Sequence, residues 1–288
     1  MPDTPAPSIS ADDRGFLLGD GVFDTSMVLN GRMMFRQAHI DRLALSARAL
    51  GLPHDLTELG HDIDAAIEGV EAARLRISLS RGVTSPGLDS SMPDPTTLIR
   101  LHKLDLNRPF HPTSAILSEV MRSDHTPSSQ HKTLSYIDNV MAQREAASKG
   151  AGCALMANRD GEVVCGASEN VFVLEDKTLI TPPLNAGALA GTLRRWVIEE
   201  SGKLDLSVRE EPLTDARLVN ADAAFVTNSL RLVAPISRFG GIQLGTTWPD
   251  ALVELAHHLL HDLKRQCGGR TPFGRPNKGQ PYTGKQDA

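Results

Sequence analysis

Along the first hundred residues the apolar positions pass from a helical period to that of strands. In residues 37–52, QAHIDRLALSARALGL, they fall at Ile40, Leu43, Ala47 and Leu50, the spacing of one helix face, and Pro53 stops the pattern. A second helix is predicted from about Leu56 to Val70. The runs LRISLS (75–80) and TLIRLH (97–102) then read as strands, separated by a Gly/Pro/Ser loop at 82–96. Residues 13–105 thus predict a small α+β unit, and the polar, Pro-rich residues 1–12 a flexible N-terminus.

Residues 106–113 carry two prolines and no periodicity, and predict a linker. A strand follows near Ala115–Val120, then a helix over Ile137–Ser148 that closes on Gly150, a residue suited to the left-handed turn after a helix. Short apolar runs at 153–157, 163–165, 170–174, 178–181 and 224–227 predict strands, with helices at about 188–201 and 248–266. Residues 114–266 therefore predict a larger, strand-rich domain. The Gly/Pro/Lys-rich stretch 267–288 predicts a disordered tail.

Hydrophobic residues make up 40% of the 288 and charged residues 23%, enough for a sizeable core. A formal charge of −5 and the lack of a basic run argue against a nucleic-acid partner. No apolar run approaches the ~20 residues of a membrane span, and nothing resembles a signal peptide, so a soluble cytoplasmic protein is expected. Cys153, Cys165 and Cys267 have no metal-ligand spacing, and an odd count opposes a disulfide framework. His257 and His261 stand one helical turn apart, which fits a solvated helix face better than a metal site; none is expected.

Lys132 lies where a loop gives way to a helix, among mostly uncharged neighbours. A lysine held that way can lose its proton and attack a carbonyl, although taken alone it also fits an ordinary surface lysine. The segments GFLLGDGVFDTSMVLNGRMMFRQAHIDRLALSARALGLP (15–53), HKTLSYIDNVMA (131–142), GASENVFVL (166–174), TPPLNAGALAGTLRRW (181–196) and TNSLRLVAPI (227–236) change that balance. In this order they resemble the fold type IV pyridoxal-phosphate enzymes: branched-chain and D-amino-acid aminotransferases, R-selective amine transaminases and aminodeoxychorismate lyase.

The resemblance implies a two-domain α+β fold of that type, with pyridoxal 5′-phosphate in the cleft between the domains and a homodimer as the assembly. It makes Lys132 the Schiff-base lysine and proton shuttle. Arg42, in HIDRL, would grip the cofactor phosphate, for which a planar guanidinium is well shaped. Gly191, Thr192 and Leu193 would turn helix N-terminal N–H groups toward the same phosphate, and Ser229 would add a hydroxyl. Tyr136 would lie against the phenolic oxygen of the cofactor; a core tyrosine is the other reading. Asp24, Asn228 and the backbone of Leu230 and Arg231 would approach substrate.

Two departures stand out. The family pattern V-x-E-G puts a glutamate on the pyridine nitrogen, and here that position is Cys165, a weak hydrogen-bond partner. Glu162 sits on the opposite strand face, and Glu169 matches a separate acidic position. The loop at 82–91 also lacks, after Arg81, an arginine that helps several members receive the substrate carboxylate. The implied activity is transfer of an amino group between an amino acid or amine and a 2-oxo acid. The alternatives are aminodeoxychorismate lyase, releasing pyruvate and 4-aminobenzoate, and a catalytically impaired cofactor-binding homologue.

Overall fold

The computed structural model describes residues 8–85, 87–89 and 94–277, and the chain divides into two compact units. Residues 86, 90 and 91 of the arginine-lacking loop, residues 1–7 and residues 278–288 lie outside the described residues. The first unit takes the chain up to Leu104 together with His131–Tyr136; the second takes Asp105–Gln130 and everything from Ile137 onward.

The first unit holds α1 (Arg14–Leu18), β1 (Gly21–Leu29), β2 (Arg32–Met33), α2 (Arg36–Ala49), α3 (Leu56–Ile67), β3 (Ala72–Val83) and β4 (Asp94–His102). Its antiparallel sheet runs β2-β1-β3-β4. Alternation sorts the residues by face: Val22, Val28, Ala73, Leu75, Ile77 and Leu79 pack with Leu43, Ala47, Leu59 and Ile63 of the helices. β1 was not evident as a strand because it is buried along nearly its whole length and shows no polar alternation. Since β2 pairs only with Val28 and Leu29, the other half of that edge of β1 needs partners. Residues 132–134 supply them: Phe23 N–H donates to Lys132 O at 2.8 Å and Leu134 N–H to Gly21 O at 2.8 Å. This return of the chain has no signature in the hydrophobic pattern.

The second unit holds β5 (Thr113–Leu117), α4 (Pro127–Gln130), α5 (Ile137–Ser148), β6 (Cys153–Ala157), β7 (Val163–Gly166), β8 (Asn170–Glu175) and β9 (Thr178–Thr181). There follow α6 (Thr192–Glu200), β10 (Ser207–Glu210), α7 (Asp215–Asn220), β11 (Ala223–Asn228), β12 (Leu232–Phe239), β13 (Ile242–Gln243) and α8 (Asp250–Cys267). The sheet order is β10-β9-β8-β11-β12-β5-β6-β7, with β13 on β12. Its core includes Leu155, Val171, Val173, Ile180, Val226 and Ala234.

Two sequence expectations change. Residues 106–113 are not a free linker: Phe110 is buried and its N–H donates to Arg231 O at 2.9 Å, within the second unit. The tail does not begin at 267 either. Cys267 ends α8, Phe273 is buried, and His257 Nε2 lies 2.7 Å from Pro276 O. That bond gives His257 a partner within the fold, and no group of metal-ligating side chains occurs among the described residues. Among them, no helix is long and apolar enough to cross a membrane.

α6 is tied to α8 by Trp196 Nε1, which donates to the buried Asp262 Oδ2 at 2.7 Å. Trp196→Phe removes that donor and should cost about 1–3 kcal/mol, read as a lower urea midpoint by circular dichroism. An unchanged midpoint would show that the bond contributes nothing.

Candidate active site

In the first unit, parity along β1 separates two neighbouring side chains. Asp24 faces α2, and Phe23 faces the opposite side of the sheet. On Phe23's side the Lys132 ammonium lies 4.4 Å from the ring centroid and donates to Tyr136 Oη at 3.4 Å. Tyr136 meets Phe23 edge-on at 5.1 Å, and the Arg76 guanidinium lies 3.7 Å from the Phe23 centroid. The structure thus brings Lys132 and Tyr136 together on a ring that also carries Arg76. Phe23 and Arg76 were missed because their partners meet only through strand pairing.

Asp24 is buried and engaged by its own chain. It is 1% exposed, and its oxygens accept from Arg42 Nε and Nη2, both at 2.8 Å, from His39 Nδ1 at 2.7 Å and from Thr25 N at 2.7 Å. It fixes the guanidinium edge of Arg42. Burial alone would raise the Asp24 carboxyl, but the charge of Arg42 and the bond from His39 outweigh it and hold it well below the usual carboxylate range. Burial pulls His39 down despite the neighbouring Asp24, so the imidazole is neutral and donates through Nδ1. Arg42, also opposed by burial, is held charged by Asp24.

In the second unit, α6 opens at Thr192 with Gly191 as its cap residue and no side-chain capping bond. Gly191 is required by space: a Cβ there would stand 1.9 Å from Asn170 Oδ1. Asn170 in turn donates to Leu189 O at 2.8 Å and pins the approach to the helix. Leu193 is buried behind the first turn. The hydroxyls of Thr192 and Thr227 are buried and have no hydrogen-bond partner among the described residues. Buried hydroxyls of this kind call for an acceptor or donor from outside the chain. A phosphate at the positive end of α6 fits that need. Thr227 was missed as a candidate although it opens the TNSLR segment. Ser229 follows β11 in the same turn, half-buried.

The rest of that turn is committed internally. Asn228 Oδ1 accepts from the N–H of Leu230 at 2.9 Å and of Arg231 at 2.7 Å. Its Nδ2 donates to Ser168 O and Glu169 Oε1, both at 3.3 Å. Arg231 Nε lies 3.2 Å from Glu169 Oε1, and its Nη2 donates to Gly152 O at 3.0 Å. These groups brace the turn.

Cys165 is buried on β7 opposite Met156. Burial pushes its thiol up to about 11 against the pull of the Arg122 charge, so the thiol is neutral at physiological pH. Arg122, also buried, donates to the carbonyls of Gly187 at 3.2 Å and Ser129 at 2.8 Å, and has no carboxylate partner among the described residues. Glu169 is taken by Arg231. Among the described residues no carboxylate is hydrogen-bonded to Cys165.

Residues 21–239 match the family described as amino-transferase class IV. The chain is 30% identical over 280 residues to a putative branched-chain-amino-acid aminotransferase of Methanocaldococcus jannaschii, covering 90% of this chain and 92% of the other. Among solved structures it is similar to a putative 4-amino-4-deoxychorismate lyase of Legionella pneumophila, with TM-score 0.83, 29% identity and coverage of 91% and 97%. It is also similar to the pyridoxal-phosphate-bound form of a hypothetical aminotransferase from Mycobacterium tuberculosis, with TM-score 0.78, 27% identity and coverage of 92% and 95%. By fold, motif order and these likenesses, the chain belongs to the class IV aminotransferases, a family of pyridoxal-phosphate-dependent enzymes.

Proposed function

We propose that the chain is an aminotransferase that moves an amino group between an amino acid or amine and a 2-oxo acid. The observation that carries this reading is the setting of Lys132, whose amine is held against the Tyr136 hydroxyl and over the Phe23 ring. Lys132 Nζ is the group that holds the cofactor aldehyde and moves a proton at the substrate's α-carbon. Tyr136 orients that amine. In the first unit Arg42, locked by Asp24, is a guanidinium suited to phosphate, and in the second unit the Gly191–Leu193 helix start with Thr192, Thr227 and Ser229 would hold phosphate. When bound, pyridoxal phosphate supplies the electron sink for the transfer. The proposed setting is a cytoplasmic homodimer.

A second reading, aminodeoxychorismate lyase, is favoured by the likeness to the Legionella structure. An amino donor supplied without acceptor separates the two: an aminotransferase converts its cofactor to the amino form, and a strict lyase does not.

Lys132→Ala should abolish the borohydride-sensitive visible absorbance of the bound cofactor and lower turnover by about 10²–10⁴-fold. Retained absorbance and turnover would sink the assignment. Asp24→Asn should strand the buried Arg42 charge at a cost of about 3–5 kcal/mol and weaken cofactor retention. Because Asp24 is depressed in the fold, its contribution is full above the ordinary carboxylate value of about 4 and is lost as pH falls below it. Melting temperature followed from pH 7 to pH 3 should therefore fall less steeply in Asp24→Asn than in the wild type. At the other end, Cys165→Glu should raise the protonated fraction of the cofactor's ring nitrogen, seen by pH titration of the bound cofactor's spectrum. Identical titrations would remove any role for the thiol, and a wild type that binds cofactor yet never converts with any donor would support the impaired-homologue reading.

A further inference from the structure

Arg122 carries a charge that the fold does not use. It follows β5 and is 8% exposed. Its Nε donates to Gly187 O at 3.2 Å, and its Nη2 to Ser129 O at 2.8 Å and Ser128 O at 3.4 Å, neutral acceptors that an uncharged amide could serve. Taking a guanidinium out of water is costly and is ordinarily offset by a carboxylate. Among the described residues the carboxylates of the surrounding elements are committed elsewhere: Glu169 to Arg231, Glu162 to Asn158, Glu145 to Ser118 and Lys149, and Asp124 to His125. The charge reaches Cys165 instead. Arg122 N–H donates to Ala157 O on one edge of β6, while Cys165 pairs with Met156 across the other. Both side chains face α5: Ala142 and Ala146 pack with Cys165, and Arg122 Nη1 donates to Asn139 Oδ1 at 3.5 Å. Asn139 Nδ2 in turn donates to Ala167 O at 2.7 Å, two residues beyond Cys165.

We propose that Arg122 is a positioning residue whose charge keeps the ring nitrogen of bound pyridoxal phosphate unprotonated at Cys165. This rests on Cys165 standing at the ring nitrogen, as the family resemblance implies, and it deepens that reading by naming the charge that decides the nitrogen's ionisation. Protonating a nitrogen close to a fixed cation puts two like charges into poorly solvated space, which disfavours the charged form. The Cys165 thiol does not offset this, being neutral and a weak hydrogen-bond partner. An unprotonated nitrogen keeps its lone pair as an acceptor, which suits a thiol donor and a nearby cation alike. A ring left neutral withdraws electrons less strongly, so Arg122 and Cys165 together set how acidic the substrate's α-carbon becomes.

The holoenzyme is titrated with pH while the ring nitrogen of isotope-labelled cofactor is followed by NMR. In Arg122→Gln, which keeps an amide donor for the carbonyls, the nitrogen should titrate about one to two pH units higher than in the wild type. Arg122→Lys, which keeps the charge, should stay near the wild type. Cys165→Glu combined with Arg122→Gln should raise the titration more than either change alone, because the new carboxylate is no longer shared with the arginine. The second readout is the melting temperature of the cofactor-free chain. Cys165→Glu should lower it much more in the Arg122→Gln background than in the wild type, where Arg122 can pair with the buried carboxylate. Equal lowering in both backgrounds would show that Arg122 does not reach position 165 and would overturn the proposal. So would a nitrogen that responds to Cys165→Glu but titrates alike in Arg122→Gln and the wild type. A titration that follows chloride at constant ionic strength would also overturn it, assigning the charge to a bound anion. A nitrogen indifferent to Cys165→Glu, with the melting-temperature coupling intact, would mark a failure of the ring-nitrogen placement itself, and the proposal falls with it.

Discussion

A buried carboxylate must be compensated, and in the first unit that requirement organises much else. Asp24 gives up water on β1, so α2 must deliver both Arg42 and His39 to it, one helical turn apart on the same face. That pairing sets the roll of α2 against the sheet and therefore which helix residues reach the core. It also turns Phe23 to the other side of the sheet, where Lys132, Tyr136 and Arg76 gather around its ring. The charge pair and the aromatic cluster are two consequences of one strand's alternation.

In the second unit the comparable constraint is polar satisfaction in turns. Asn228, Glu169 and Arg231 close a network between the turn after β7 and the turn after β11, so both turns are held by side chains. Among the polar groups that remain unsatisfied there are the hydroxyls of Thr192 and Thr227, beside the uncapped start of α6. The contrast between a braced turn and an unfinished one is what gives the phosphate assignment its physical content.

Much of the fold could be read from sequence wherever period was strong. The helices α2, α5 and α8 and the strands β6 and β9 lie within a few residues of their expected bounds. β1 and β12 were harder, because strands buried on both faces show no alternation. For the site, motif order singles out Lys132, Tyr136, Arg42 and Gly191, because each sits in a segment whose local sequence carries the resemblance. It does not reveal that Asp24, Asn228 and Arg231 are engaged by their own chain, since whether a polar group meets such a partner depends on tertiary hydrogen bonds. Arg76 escaped for a related reason. Nothing in LRISLS reveals that its second residue will lie over a phenylalanine from a strand fifty residues earlier.

The first unit is discontinuous, and this bears on how the chain is made. Its sheet edge along β1 is completed only by residues 132–134, which follow the opening strand of the other unit, β5. On a ribosome the N-terminal unit could collapse early but could not close that edge until Tyr136 had emerged. Lys132 would therefore be among the last parts of its own unit to find its place. Placement of this lysine beside Phe23 then coincides with a long-range contact, and a nascent chain stalled before residue 131 would carry an open strand edge and lack Lys132.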